Sequence, residues 1–569
     1  MHVVTNRRRG AQREYVTHLL RRSYREDGKV KNETLANLSH LPDGVIELIR
    51  GALSGRRYLD ADAAFWIERS LPAGHVSAAL VMARRLELAR LLDREGSRER
   101  DLCLAMICQR ALAPASKLAT VRALSQSTLA DELDLGAVDE DELYAALDWL
   151  VERQGRIEDR LARRHVRDGE LVLYDVSSSY FEGRTCPLAR LGYSRDDKRG
   201  SPQIIYGLIC DRAGRPLAVE VFSGELHDAA TLPAQIAKLK ARFGLARVVV
   251  VSDRGMVTKA NIERLRETDG VGWISALKAP QIKRLAAHGA LQLSLFDETN
   301  LAEITAPDAY PGERLVVCRN PLVGAERTRK REDLLAASER GLAEIAERCA
   351  RGTLRGAAQI GLAAGPALRR YRMGKHFQIE ISETSFHYQR KHAQIDAEQA
   401  LDGIYILRTN VPPETLPSGD VVRAYKGLEQ VERAFATLKS RTLEIRPIHH
   451  HLEDRVRAHI LLCMLAYYLT WHLREAFSPL IFKDEQPPRN ADPVAKAHRS
   501  PAAQTKAQTK HTSDGERCHS YQSLLAELAT LTRNTIRLPD TPATFEKDSQ
   551  PTPLQARALD LAQHAPVTT

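Results

Sequence analysis

The amino-acid sequence predicts an α/β protein. A helical region of about 165 residues leads into an α/β domain that opens as an antiparallel hairpin and continues in parallel. Two observations carry this. Up to about residue 165, apolar residues recur at three- and four-residue steps, as in Val76–Leu92, Asp101–Leu112 and Asp141–Arg163, the period of a helix with one buried face. At Glu170 the pattern changes to continuous apolar runs, which signal strands covered on both sides.

Leu171–Asp175, Gln203–Asp211 and Pro216–Phe222 read as three consecutive strands, the last two joined by a turn at Asp211-Arg212-Ala213-Gly214. A helix (Ala230–Phe243), a strand (Arg247–Asp253), a second helix (Lys259–Thr268) and a strand (Gly272–Leu277) follow. From Lys278 to Asp402 short strand candidates at Arg314–Cys318, His376–Ile381 and Ile404–Arg408 flank a charged helix, Thr328–Cys349, and this region reads as an insertion. Val421–Ser440 and Leu452–Arg474 are strong helix candidates. Lys483–Arg517, poor in apolar residues, reads as a disordered linker. The tail after it holds one amphipathic segment, Leu524–Leu531, and little other order. Near the front, Glu33–Leu53, broken at Pro42, has the length of a helix-turn-helix or of two ordinary short helices. The domain limits are therefore 1–165, 166–279, 280–403, 404–482, 483–519 and 520–569.

With 569 residues, 43% hydrophobic and 27% charged, the chain has room for two to four domains and is neither disordered, collagen-like nor coiled-coil. Its net charge is +10. Met1–Lys31 alone holds nine basic residues (Arg7, Arg8, Arg9, Arg13, Arg21, Arg22, Arg25, Lys29 and Lys31) against Glu14, Glu26 and Asp27, a net of +6. Such a start is either a solvated face or an arm for a polyanion. No apolar stretch follows the arginines, which argues against a signal peptide. The longest apolar run, Ile460–Trp471, is short of the ~18 residues of a membrane span. Eight cysteines form no CxxC pair and no zinc spacing, as in the reduced core of a cytoplasmic protein.

Two of the strands stop at an aspartate, Asp175 and Asp253. A strand-end carboxylate either caps the next turn or lines the crevice at the sheet edge. Asp211 is explained by its turn; Asp175 and Asp253 have no such context. Two carboxylates on neighbouring strands repel each other and, unless one is protonated, call for a cation. An all-oxygen set without nearby His or Cys favours magnesium or manganese over zinc, and a third acid would complete a two-metal site for phosphoryl transfer. Glu432 offers it. Tyr425, Glu432 and Lys439 are spaced by seven residues, about 20° short of two helical turns, and share one face. Val431, Phe435 and Leu438 form an adjoining apolar face. Glu429, about 60° from Glu432 around the helix, is the rival; a solvated Glu–Lys face is the plain alternative. The loop Gly192–Gly200 carries Arg195, Lys198 and Arg199 between the first two strands, suited to a phosphate backbone or simply to water.

The segments LYDVSSSYFEG, GYSRDDKRGSPQIIYGL, VVVSDRGM and YKGLEQVERAFATLK followed by LEIRPIHH resemble the transposases of bacterial insertion sequences. The likeness is to the insertion sequence 1634 group of the insertion-sequence-four superfamily, and it covers Tyr15 to about Leu473 and Tyr521–Pro539. It implies an RNase H-like catalytic core with a β-rich insertion between the second Asp and the Glu. The Asp-Asp-Glu triad falls on Asp175, Asp253 and Glu432, holding two magnesium ions that manganese can replace. The superfamily's Tyr-Arg-Glu-Lys signature is matched at Tyr425, Glu432 and Lys439, while its Arg position is Leu428. Arg446 is a candidate substitute.

The resemblance implies metal-dependent DNA cleavage at transposon ends and strand transfer into target DNA. Tyr425, Lys439, Arg195, Lys198 and Arg199 are the expected contacts to DNA, and the helical N-terminal domain is the expected reader of the terminal inverted repeats. It further implies a dimer on double-stranded DNA, in the cytoplasm with the nucleoid and with no membrane partner. Two other readings stay open: a catalytically silent repressor of transposition, and a nuclease of the same fold acting on hybrids or junctions, which would need neither the insertion nor the N-terminal domain.

Overall fold

A computed structural model describes residues 1–9, 14–56, 58, 65–296, 299–538 and 542–567. The chain forms two compact units, Met1–Leu71 with Thr532–Gln550, and Pro72–Leu531 with Pro551–Thr569.

The first unit corrects the helical expectation. It opens with an antiparallel meander, β1 (His2–Arg9), β2 (Glu14–Glu26) and β3 (Lys29–Asn37). The β2–β3 turn is Asp27-Gly28, both at positive φ (50° and 75°), the geometry that Asp-Gly favours in a two-residue hairpin. One helix follows, α1 (Asp43–Leu53). Because Glu33–Asn37 is strand, Glu33–Leu53 is not a helix-turn-helix. β4 (Trp66–Pro72) joins a second three-stranded sheet with Thr532–Arg537 and Thr544–Asp548. Arg13, counted above in the basic start, lies outside the described residues.

The second unit begins with the helices α2 (Gly74–Arg85), α3 (Leu88–Leu92), α4 (Arg98–Leu112), α5 (Lys117–Leu124), α6 (Leu129–Glu132) and α7 (Glu140–His165). Here the three- and four-residue steps do mean helices. Asp139 and Glu142 form a capping box at the start of α7.

An eight-stranded sheet follows: β5 (Leu171–Tyr180), β6 (Gln203–Asp211), β7 (Pro216–Ser223), β8 (Val248–Ser252), β9 (Val271–Ala276), β10 (Leu301–Ile304), β11 (Arg314–Arg319) and, later in the chain, the strand Ile404–Thr409. The spatial order is β10, β11, Ile404–Thr409, β9, β8, β5, β6, β7. β5, β6 and β7 are antiparallel neighbours, and β8 and β9 run parallel to β5. The strand sequence expected from the apolar runs is therefore present. α8 (Asp228–Ala237) and α9 (Lys259–Glu267) lie in the connections before β8 and β9. Side chains alternate across a strand. Val172 and Tyr174 pack in one core with Leu232, Ile236 and Ile262. Leu173 packs in the other, with α4, α7 and the helices that follow the insertion. Asp175 has the parity of Leu173.

The insertion carries α10 (Ala279–Ala287), α11 (Pro321–Ala350), α12 (Ala357–Arg370), the hairpin β12 (Phe377–Ile381) and β13 (Phe386–Arg390), and α13 (His392–Gln399). It is thus mainly helical, not β-rich. Leu335, Leu342, Ile345 and Cys349 recur on one face of α11 and close a separate core with Ile360, Phe377 and Phe386, and this helical stripe fixes the element type. The strand Ile404–Thr409, β14, then returns the chain to the sheet.

The helix expected at Val421–Ser440 is two, α14 (Ser418–Lys426) and α15 (Leu428–Lys439), meeting at Gly427. α16 (Glu453–Ala476) is buried almost throughout and packs against α4 and α7. The presumed linker is folded. α17 (Pro501–Thr509) is capped by Ser500, Val494 is 1% exposed, and buried Lys506 donates to the Ser478 carbonyl at 2.7 Å and to Glu485 at 2.6 Å. Hydrogen bonds rather than apolar mass hold this segment, which composition does not register. The tail is ordered too, in α18 (Tyr521–Ala529) and α19 (Pro553–His564). No helix among the described residues is long and apolar enough to cross a membrane, and all eight cysteines are free and buried.

Candidate active site

β5 and β8 are adjacent parallel strands whose last registered pair is Tyr174 opposite Ser252. One residue on, Asp175 and Asp253 stand side by side, Asp253 just past the end of β8 but Asp175 still inside β5, which does not stop there as its apolar run suggests but continues against β6 to Tyr180. Asp175 is half-buried and accepts a hydrogen bond of 2.8 Å from the Val176 N–H. Burial pushes its carboxyl up to about 7. The Val176 N–H and Arg195 oppose the rise, while the like charges of Asp253 and Glu432 add to it. Asp253 and Glu432 are themselves exposed. The three acids, remote along the chain, are therefore electrostatic neighbours.

Glu432 reaches this edge because Val431, Ala434, Phe435 and Leu438 bury the adjoining face of α15. Its rival Glu429 is paired instead with Arg433 at 2.5 Å on the solvent side. Tyr425, on α14, lies against Asp253, and burial together with the charges of Asp253 and Glu432 raises its hydroxyl to about 12. Leu428 is 8% exposed and belongs to the core, so the signature's Arg position faces inward here.

The structure does not bring Lys439 to the same point. Two turns beyond Glu432, it donates to Asp196 at 3.0 Å, and Arg446 pairs with the same carboxylate. Asp196 also accepts from the Tyr180 N–H at 3.1 Å. Its side chain is 1% exposed. Arg195 acts on Asp175 but is held by both oxygens of Asp228, each at 2.6 Å. Its second amino group, Nη1, is buried with no partner among the described residues. Lys198 and Arg199 are exposed, and the Lys198 ammonium sits 5.5 Å from the Tyr180 ring centre. The loop is docked tightly: a Cβ on Gly192 would stand 2.0 Å from the Gly224 carbonyl oxygen, so only glycine fits there. The anchoring roles of Asp196 and Asp228 have no signal in the local sequence beyond an acidic pair, Asp196-Asp197, inside an otherwise basic loop.

Among the described residues no three carboxylate, imidazole or thiol groups are gathered as a ready-made metal cage. The donor chemistry nevertheless suits one kind of ion. Three neighbouring carboxylates, two of which raise the proton affinity of Asp175, with no His or Cys among them, fit a hard divalent cation that would relieve the repulsion.

Residues 187–469 match the family model of the transposase DDE domain, which spans Asp253 and Glu432 and begins after Asp175. The chain is thus a DDE transposase, an enzyme of DNA transposition. Residues 1–62 match the N-terminal domain of IS1634 family transposases, so the two matches together are those of a DDE transposase of the IS1634 group. No curated protein matches it in sequence. Among solved structures it is similar to a piggyBac transposase synaptic complex with hairpin DNA, at 9% identity and a TM-score of 0.32, over 80% of this chain and 76% of that one. A likeness that distant carries no weight here.

Proposed function

We propose that Asp175, Asp253 and Glu432 together hold two magnesium ions, with manganese able to replace them, in an RNase H-like core. The strand order of β7, β6, β5, β8 and β9, three antiparallel and two parallel, supports that core. When bound, the metals supply charge neutralisation and lower the pKa of water. The chain's own residues do the rest. Tyr425 orients the Asp253 carboxylate, and the orphan amino group of Arg195 supplies a donor beside Asp175 for a phosphate oxygen. Lys439 and Arg446, through Asp196, fix the loop that presents Lys198, Arg199 and the exposed Tyr193 to the DNA backbone. The reaction is addition of water to the phosphodiester at the element's end with departure of the 3′ oxygen as a hydroxyl, and then attack of that 3′-hydroxyl on a target phosphodiester, which breaks the target P–O3′ bond and leaves the target's 3′ oxygen as a hydroxyl carrying the proton. Joining two ends asks for at least a dimer on DNA, with the first unit reading the terminal inverted repeats.

The observation that carries this reading is the pressure of both Asp253 and Glu432 on the half-buried Asp175 carboxyl. Purified protein, magnesium and a labelled end fragment test it. Cleavage by Asp175→Asn, Asp253→Asn or Glu432→Gln at the parent rate would falsify the triad. A protein that binds the end fragment but cuts nothing under any metal is a repressor instead.

A further inference from the structure

The segment Leu443–His450, singled out in the sequence as LEIRPIHH, lines a cavity away from the three acids. Its volume is about 530 Å³, and its walls include Arg110, Lys117, Tyr144, Arg446, His450 and Arg455. Arg446 and Arg455 already have counter-charges, in Asp196 and Asp148. Among the described residues Arg110 and Lys117 have none. Arg110 is 7% exposed and spends its amino groups on the carbonyls of Leu443, Glu444 and Ala115, at 3.3, 3.2 and 2.8 Å. Lys117 is 5% exposed, and no carboxylate or hydrogen-bond acceptor holds its ammonium among the described residues. Burial and the facing Arg110 push it down to about 7. The same cations, after burial, lower His450 to about 3. Glu444, the carboxylate among the described lining residues, is exposed at the rim. Ser116 and Lys117 also place the start of the eight-residue helix α5 on the wall, which adds N–H groups and a positive dipole end.

A cavity with two uncompensated cations, a helix N-terminus and imidazole donors is built for a compact anion of about two charges. Its volume falls in the ~300–1,000 Å³ range of ligand pockets. We propose that this cavity is a phosphate-binding pocket, separate from the three acids, in which Lys117 holds the phosphate group of a nucleic acid or of a free phosphate compound and the fixed charge of Arg110 attracts it.

The test compares the full chain with Lys117→Met, a near-isosteric change that removes an unpaired buried charge and so preserves the fold. The first measurement is melting in 10 mM inorganic phosphate against chloride of equal ionic strength. The parent is expected to gain about 2 °C and the variant nothing. The second is the affinity for a short duplex carrying the element's end, as a function of salt. A fall of about fivefold in the variant, with a log–log slope shallower by about 0.9, assigns the pocket to a DNA phosphate. Unchanged duplex binding beside a lost phosphate effect assigns it to a free phosphate compound. The proposal is overturned when Lys117→Met alters neither readout, including the case in which phosphate does not stabilise the parent. Neither measurement needs strand cleavage, so failure here leaves the triad standing, and the reverse holds too.

Discussion

Lys439 and Asp196 form an ion pair at 3.0 Å in which the aspartate side chain is 1% exposed and the lysine side chain 12%. Arg446 and the Tyr180 N–H share that carboxylate, so one acid ties the end of α15, the segment after it and the end of β5 together. Asp196→Ala would leave two cations around an empty, largely dry position. The expected loss is about 3–5 kcal/mol, the cost of breaking a buried pair from one side, read by denaturant unfolding. Lys439→Met should cost less, because Arg446 still neutralises Asp196. An Asp196→Ala variant within about 0.5 kcal/mol of the parent removes the anchor role.

The acids and their neighbours should separate by function. Asp175→Asn, Asp253→Asn and Glu432→Gln are expected to stop end cleavage while leaving melting temperature unchanged or higher, since each relieves like-charge repulsion. Magnesium should stabilise the parent and not these variants. Glu429→Gln should cut normally, given the solvent-side pairing of Glu429 with Arg433. Tyr425→Phe should lose about tenfold, the scale of removing a group that orients a ligand. A dead Glu429→Gln beside an active Glu432→Gln reverses the assignment on α15.

Leu428 stands where the superfamily signature has Arg, and it is buried at 8% exposure. Restoring arginine would place a guanidinium in the core beside Leu173, Val431 and Phe435. Leu428→Arg is therefore expected to destabilise by about 3 kcal/mol or more with no gain in DNA affinity. Leu428→Ala should cost about 2–4 kcal/mol as an ordinary core truncation. Thermal melting and end-fragment titration decide it, and a stable, tighter-binding Leu428→Arg would place this position at the DNA instead.

What the sequence disclosed follows from which interactions are local. The apolar runs before Asp175 and Asp253 mark strands buried on both faces, and the order of β5 to β9 comes directly from them. Asp27-Gly28 is equally local and was a legible hairpin signal that the arginine count overshadowed. Gly427 divides the expected helix in two, yet Tyr425 and Glu432 still meet near Asp253. The pairing of Lys439 with Asp196 spans 243 residues; nothing in either neighbourhood announces it. The folded 483–519 segment rests on Lys506 and Ser500 hydrogen bonds, invisible to a reading based on apolar content.

Lys117 gives a pH dependence with a definite sign. Its folded value of about 7 lies below the ordinary 10.5, so between pH 7 and 10.5 the unfolded chain binds the extra proton. Stability must then rise with pH across that window, by up to about 1.4 kcal/mol per unit for this one group, and the penalty is fully present below pH 7. The difference between parent and Lys117→Met isolates the effect from other titrating groups. Their unfolding free energies should converge as pH climbs from 7 to 10, with the variant the more stable at pH 7. Parallel curves mean that Lys117 keeps its ordinary value and an unseen counter-charge.

Arg7, Arg8 and Arg9 end β1 with exposed side chains, so they carry charge without supporting the fold. If the first unit reads DNA through this edge, each phosphate they neutralise contributes about −0.9 to the log–log slope of binding against salt. Replacing all three with alanine is then expected to flatten the slope by up to about 2.7 and to weaken binding most at low salt, where released counterions matter most. Stability should move by less than about 0.5 kcal/mol, as for exposed surface changes. A variant with the parent slope moves the DNA contact elsewhere, to the Lys198–Arg199 loop of the second unit, where the same measurement on Lys198→Ala with Arg199→Ala should show a change of about 1.8.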